Sequence, residues 1–484
     1  MSDLTLNYHL MHPGGESAPG DPNAAFALDG VYHLHYILGH QWRGERSYSF
    51  VHVTSPDLLH WTWQTAKLQP AFTGHAMYSG TGFLTKEGRP AVIYHGKGSD
   101  RNQIALAKDR RLSGWERPFP VSPIGADGRE AEITHWDPDC FLIGDTYYAI
   151  SGGKNPPLMK SNDLKSWTLV GDFLSHEPQD VTIGEDVSCP NFFQLGGKWF
   201  LLCISHPLGC RYYIGDWDPE REQFVPQSHG RMNWRRDEQP VYGLRLRSDY
   251  FAPESLLTPD GRRVMWAWIR TARADGALMN KTIQSLPREL ELPADGILRI
   301  RPLRELEGLR YDPLTPSEVT LSSPITGYAD DVPAVAAPAL QRIAELDGDA
   351  WELRITVPRD QAARKLFGFT LFSDGKGGGL PIVLRPENGT LRVGTTEAPF
   401  AVADLPEGED VELRIFVDKY LVEVFANDRQ AVLAAFMEER GSGLDAFTVG
   451  APTTIARFQA WKLRPTNRGF LEAQRERVWE PTTD

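Results

Sequence analysis

The 484-residue sequence predicts an all-β protein: a five-bladed β-propeller over residues 1–310, followed by a C-terminal β-sandwich. Three observations carry that expectation. Helical stripes at i, i+3, i+4, i+7 are scarce, while short alternating runs rich in Val, Ile, Tyr, Phe and Trp end at tight-turn pairs. One hairpin pattern recurs five times at near-regular spacing. Beyond residue 340 the alternation continues without that repeat.

The repeats are AAFALDGVYHLHYI, GFLTKEGRPAVIYH, CFLIGDTYYAIS, FFQLGGKWFLLCIS and SLLTPDGRRVMWAWI. Each is an apolar strand, a turn pair tolerant of positive φ, and a second strand with aromatics on one face. The turn glycines are Gly30, Gly88, Gly144, Gly197 and Gly261, between 53 and 64 residues apart. Second halves recur too, with VTSPDLLHW at 53–61 echoed by MKSNDLKSWTLV at 159–170. Five units of about four short strands make a propeller, which leaves only short, protected sheet edges. After PLRELEGLR (302–310) the texture changes, and 311–340 reads as a linker rich in Pro, Ala, Ser and Thr. Period-2 runs such as WELRITV, FGFTLF, VELRIFV, YLVEVFA and FQAWKL then predict the sandwich over 341–484. Its charged tail from Thr466 reads as a short extension.

Lys and Arg total 51 against 64 Asp and Glu, a net charge of −13 that argues against a nucleic-acid partner. No apolar run approaches the roughly 20 residues of a membrane span, so no membrane partner is expected. The opening MSDLTLNYHL lacks a basic and apolar leader pattern, which points to a cytoplasmic location. Cys140, Cys189, Cys203 and Cys210 are too few for a disulfide scaffold and read as reduced, mostly buried thiols. His52, His75, His95 and His135 do not sit at metal-ligand spacing.

In a propeller the innermost strands line a central channel, and the residues just upstream of each hairpin reach its mouth. Those positions hold Asp21-Pro22-Asn23, Tyr78-Ser79, Trp136-Asp137-Pro138, Glu185-Asp186 and Asp249 through Glu254. Asp-Pro before a strand is also a common turn. Asp21 and Asp137, however, stand at similar offsets, nine and seven residues, before Gly30 and Gly144, which favours a shared role. Carboxylates among Trp, Tyr and Phe suit sugars, which offer hydroxyls to the first and apolar C–H faces to the second. Glycosidic hydrolysis needs two carboxyl groups, one charged and one protonated.

With these residues in view, the chain resembles glycoside hydrolase family 32, the β-fructofuranosidases. HLMHPGGESAPGDPNAAF resembles the family's W-M-N-D-P-N-G stretch, TSPDLLHW its S-x-D-L-x-x-W run, MYSGTG its F-S-G-S element, and HWDPDCF its R-D-P element. CPNFFQLGGKWF resembles E-C-P-D-F, and YLVEVFANDRQAV a signature of the family's sandwich. The resemblance implies a propeller–sandwich fold and retaining hydrolysis of terminal β-fructofuranosides. It also implies Asp21 as nucleophile, Asp137 as transition-state stabiliser, and no metal or organic cofactor. Asn23, Ser79 and Asp249 would hold hydroxyls, while Phe50, Tyr78 and Trp136 would cover apolar faces.

The departures are pointed. Gly20, Ile37, Phe50 and Trp136 replace the family's Asn, Gln, Trp and Arg, and Ser188 stands where the acid/base Glu is expected. A serine hydroxyl is too weak an acid for that task. Glu185, Glu254 and Asp186 are the candidate replacements. A fructosyltransferase sharing the same intermediate, a fructoside-binding protein without turnover, and an arabinofuranosidase are the alternative readings.

Overall fold

The computed structural model describes residues 4–14, 17–181, 184–232, 235–236, 250–270, 281–315, 318–323, 340–363, 366–438, 440–449 and 451–484. The chain forms two compact units. One comprises His9–Arg231, Tyr250–Leu298 and Thr466–Asp484; the other comprises Met1–Tyr8, Met232–Asp249 and Arg299–Pro465.

The first unit is the propeller. Its blades open on the inner strands Pro22–Leu28, Ala76–Leu84, Pro138–Ile143, Ser188–Leu195 and Tyr250–Leu257. Each pairs antiparallel with the next strand in sequence. Consecutive inner strands contact one another, and the fifth meets the first, so the ring closes. Gly30, Gly88, Gly144, Gly197 and Gly261 all take positive φ, between 59° and 86° at the turn positions, as the hairpin pattern requires.

The repeated S-x-D-L-x-x-W run is a turn device. Asp57 Oδ1 accepts the amides of Leu59 and His60, and Asp163 Oδ1 accepts those of Lys165 and Ser166. Leu58 and Leu164 pass through the left-handed region at φ 67° and 66°, and Trp61 and Trp167 are buried behind them. The motif carries the chain from a blade's third strand to its fourth, so its recurrence is structural.

The second unit packs a seven-stranded sheet, which includes Leu366–Ser373 and Gly443–Val449, and a six-stranded sheet, which includes Ala350–Val357 and Val411–Asp418. Trp351, Leu353 and Ile355 of one sheet share a core with Phe367, Phe369 and Leu371 of the other.

Both termini depart from the expected boundaries. Residues before His9 group with the sandwich, because the amides of Asn7 and Tyr8 supply the donors that the fully buried Asp418 carboxylate requires, at 2.7 and 2.9 Å. Arg299–Leu309 also belongs to that unit. The tail belongs to the propeller. Its helix, Arg468–Glu476, buries Phe470 edge-on to Trp63 at 6.2 Å, and Trp479 lies buried beside His12 at 4.4 Å. Gly469 is obligatory in that packing, since a Cβ there would lie 1.9 Å from the Trp61 carbonyl oxygen. No helix among the described residues is long and apolar enough to cross a membrane.

Candidate active site

The inner strands are distorted at a common depth near one mouth of the channel. Register shifts fall between Asn23 and Phe26, Met77 and Gly80, Ser188 and Asn191, and Phe251 and Pro253. Ala24, Cys189 and Ala252 sit within them at φ 44°, 46° and 49°. Such bulges re-aim side chains, and each non-glycine residue held there costs about 1–3 kcal/mol. Neighbouring groups hold the geometry. The His35 ring bonds the Ala24 carbonyl through Nδ1 at 2.8 Å, and Gly80 approaches so closely that a Cβ would lie 2.0 Å from the Ile93 oxygen.

On this scaffold Asp21 and Asp137 join one buried network. Ser79 Oγ donates to Asp21 Oδ2 at 2.8 Å, and the Cys189 amide donates to Asp137 Oδ2 at 3.0 Å. The Cys189 thiol lies 3.4 Å from Asp137 Oδ2 and 3.7 Å from Ser79 Oγ, which links the two halves. Asn23 serves as a brace rather than a substrate ligand. Its Nδ2 donates to the Asp21 carbonyl at 2.6 Å, and its Oδ1 accepts the Gly80 amide at 2.7 Å. Asp21 Oδ1 has no hydrogen-bond partner among the described residues. Burial pushes Asp21 up to about 6; the Ser79 bond opposes this, the Asp137 charge adds to it, and Arg270 and His206 oppose it. Burial also raises Asp137, against the Cys189 amide and thiol.

An aromatic belt rims the pair. Tyr48 lies 4.6 Å from Tyr78, Tyr78 6.3 Å from His95, His95 5.3 Å from Trp136, Trp136 6.5 Å from His206, and His206 5.8 Å from Phe251. Arg270 caps Phe251 at 4.3 Å and Trp268 at 5.4 Å. The Trp268 indole and Thr282 occupy the space a Cβ at position 20 would need, which explains Gly20.

The candidate acids separate sharply. Glu185 is buried in a clamp of Arg231, bidentate at 2.6 and 2.9 Å, and Arg211 at 3.2 Å. Both of its oxygens are thus committed to guanidinium groups and turned to them instead of to a substrate. Glu254 lies deeper, where Oε1 accepts from Thr81 Oγ1 at 3.0 Å and the Ala25 amide at 3.3 Å. Burial, with the Asp139 charge, pushes it well up. Asp186 accepts from Ser188 Oγ at 2.6 Å and binds His206 twice, through its amide at 2.9 Å and its Nδ1 at 2.7 Å. Burial acts against ionisation there, but the His206 and Ser188 bonds bring Asp186 down to about 2.

The other expectations divide as well. Tyr78 and Trp136 stand in the rim, half-buried. Phe50 does not: it is fully buried in a core with Ile37, Tyr94 and Trp115, so it packs blades instead of covering a sugar. Asp249 lies outside the described residues. Cys189, His206 and Arg270 escaped the sequence reading, and Phe251 lay within the Asp249–Glu254 stretch without a role of its own. Cys189 had a signal, its place beside the expected acid. Among the described residues no three His, Cys, Asp or Glu side chains are grouped to hold a metal ion.

Comparison with known proteins bears on this geometry. A model of the glycosyl hydrolases family 32 N-terminal domain matches residues 16–302, and one of the family 32 C-terminal domain matches residues 323–462. A probable sucrose-6-phosphate hydrolase of Psychromonas ingrahamii is 27% identical over 89% of this chain and 76% of its own length. A levanase of a Bacillus species is 25% identical over 94% of this chain and 52% of its own. Among solved structures, sucrose-6-phosphate hydrolase from Lactobacillus gasseri superposes with a TM-score of 0.71 at 21% identity, over 96% of this chain and 94% of that one. Fructan 1-exohydrolase IIa from Cichorium intybus does so at 0.71 and 18%, over 95% and 97%.

Proposed function

This chain belongs to glycosyl hydrolase family 32, and we propose that it is a retaining hydrolase of terminal β-fructofuranosides. The observation that carries this reading is the convergence of Asp21 and Asp137 in one buried well, joined through Ser79 and Cys189. In this mechanism Asp21 attacks the anomeric carbon. Ser79 occupies its Oδ2 and leaves Oδ1, the oxygen without a partner among the described residues, to form the covalent bond. With a carboxyl at about 6, Asp21 is mostly ionised at neutral pH, as a nucleophile must be. Asp137 accepts hydrogen bonds from the ring hydroxyls, which tighten as positive charge develops on the sugar. Tyr78, Trp136 and Phe251 offer flat walls to its apolar faces.

The relatives named for sucrose-6-phosphate and levan bracket the substrate class as a fructosyl group on a sugar or fructan leaving group. The test is fructose release from sucrose, sucrose-6-phosphate, 1-kestose, inulin and levan, with Asp21→Ala as control. Release from at least one substrate, abolished by that substitution, is expected. Binding of these sugars with no turnover at any pH would overturn the hydrolase reading in favour of a binding protein. Fructosyl transfer to a second sugar in place of water would identify a transferase.

A further inference from the structure

A retaining glycosidase must protonate its leaving oxygen, and the position where a carboxylic acid is expected carries Ser188. Ser188 is fully buried, and its hydroxyl is spent on Asp186 Oδ2 at 2.6 Å. That bond is one arm of a small relay. The other oxygen of Asp186 accepts the His206 amide at 2.9 Å, and Oδ2 also holds His206 Nδ1 at 2.7 Å. Arg211, itself paired with Glu185, donates to the Asp186 carbonyl at 2.8 Å and fixes the segment from behind. The His206 ring then stands in the rim between Trp136 and Phe251, with about half its side chain exposed to solvent. With Nδ1 committed to Asp186, Nε2 is the nitrogen left for substrate.

We propose that His206, as an imidazolium oriented by Asp186, is the general acid and base of this site, replacing the carboxyl group that position 188 lacks. The proposal rests on the fructoside-hydrolase reading above. In the first step Asp21 Oδ1 bonds the anomeric carbon and the bond to the leaving oxygen breaks. That oxygen takes the proton from Nε2, leaving a neutral ring with Nδ1–H still on Asp186. In the second step water attacks the anomeric carbon, Asp21 departs as a carboxylate, and Nε2 recovers a proton from the water. Charge and protons balance over the cycle, and no other reactant is needed.

The surroundings favour the charged ring. The Asp186 hydrogen bond raises His206 above its ordinary value against the effect of burial, and the charges of Asp186, Asp137 and Asp21 add to it. Arg270, across Phe251, is the near opposing cation, and Lys97 and Arg46 stand at the far side of the rim over Tyr78 and Tyr48. Burial takes His95, on the other side of Trp136, the opposite way. Glu185 and Glu254 are committed to their own partners, and burial holds the Cys189 thiol far above neutrality.

The test compares sucrose with fructosyl fluoride, whose leaving group needs no proton, using kcat/KM as a report on the first step. General acids contribute about 10²–10⁴-fold, so His206→Asn is expected to lose that factor on sucrose and under about tenfold on the fluoride. The alkaline limb of the wild-type profile, where His206 deprotonates, should vanish in His206→Asn. It should move toward acid in Asp186→Asn, because the neutral amide no longer stabilises the imidazolium. Retention of sucrose turnover within tenfold by His206→Asn overturns the assignment, as does an equal loss on both substrates with the limb unmoved. A wild-type chain that releases fructose from neither substrate overturns the hydrolase reading and this one with it. Fluoride turnover abolished by Asp21→Ala but reduced less than about tenfold by His206→Asn keeps the two separate.

Discussion

Two polar layers share the propeller channel, and they treat the same residue types oppositely. The outer layer holds Asp21, Asp137 and Ser79; the inner holds Asp139, Thr81, Asn191 and Glu254, on the inner strands, and Arg263, on the neighbouring strand Arg263–Ile269. In the inner layer the carboxyl and amide side chains are answered internally, while the buried Arg263 Nε has no hydrogen-bond partner among the described residues. Asp139 Oδ2 accepts the Phe192 amide at 2.6 Å, Glu254 takes Thr81 and Ala25, and Asn191 bonds Thr81 and Ser255. Arg263 lies over the Phe193 ring at 4.0 Å, where its charge offsets both carboxyls. Burial raises Asp139 to about 7. The outer layer is equally buried but leaves Asp21 Oδ1 without a partner among the described residues, and it is walled by rings. A buried carboxylate is costly in either layer. The carboxyls of the two layers differ in this: Asp139 and Glu254 accept bonds from the protein, whereas one oxygen of Asp21 has no partner among the described residues.

Breaking the outer layer should give the largest effects. Asp21→Ala is expected to lower kcat by about 10⁴-fold or more, since a missing nucleophile is not replaced by its neighbours. Asp137→Ala should cost about 10²–10³-fold in kcat, in line with loss of one electrostatic stabiliser. Steady-state kinetics on the best substrate checks both, and losses below tenfold would merge the two layers into one structural class. The same contrast has a stability side. A carboxyl raised from 3.8 to about 6 favours the folded state when protonated, so ionised Asp21 destabilises the fold as pH rises through that interval. Asp21→Asn should therefore be inactive yet more stable at pH 7, by about 1–3 kcal/mol, with the gain disappearing below pH 4. Thermal unfolding across pH measures it, and the acid limb of wild-type kcat/KM should lie near pH 6.

The inner layer sharpens the contrast by responding in stability alone. Arg263→Met should lower stability by about 2–4 kcal/mol, because it leaves buried carboxyls without their cation. Glu254→Gln should be the mildest of the set, with kcat/KM within about threefold of wild type. Its carboxyl is pushed toward the neutral form already, so an amide of the same shape keeps most of its bonds. A hundredfold kinetic loss in Glu254→Gln would return it to the catalytic machinery.

What the sequence determined by itself was whatever short-range chemistry encodes. Period-2 alternation, the five spaced turn glycines and the S-x-D-L-x-x-W turns specify hairpins through local φ and side-chain bonds to nearby amides, so the propeller was legible in one pass. Asp21 and Asp137 were legible because their motifs sit at similar places in that repeat. Other features were decided only by the assembled ring. The bulges at Ala24, Cys189 and Ala252 carry no glycine to announce them. Glu185 looked available until Arg211 and Arg231, 26 and 46 residues on, closed around it. Phe470 and Trp479 lay hidden in a charged tail that returns more than 400 residues to blade 1. His206 gained a partner in Asp186 and a place in the rim beside Trp136 and Phe251 only in the folded chain. Local sequence sets which conformations a segment can adopt. Burial, charge and proton affinity depend on neighbours brought from far along the chain, and those exist only once the ring is closed.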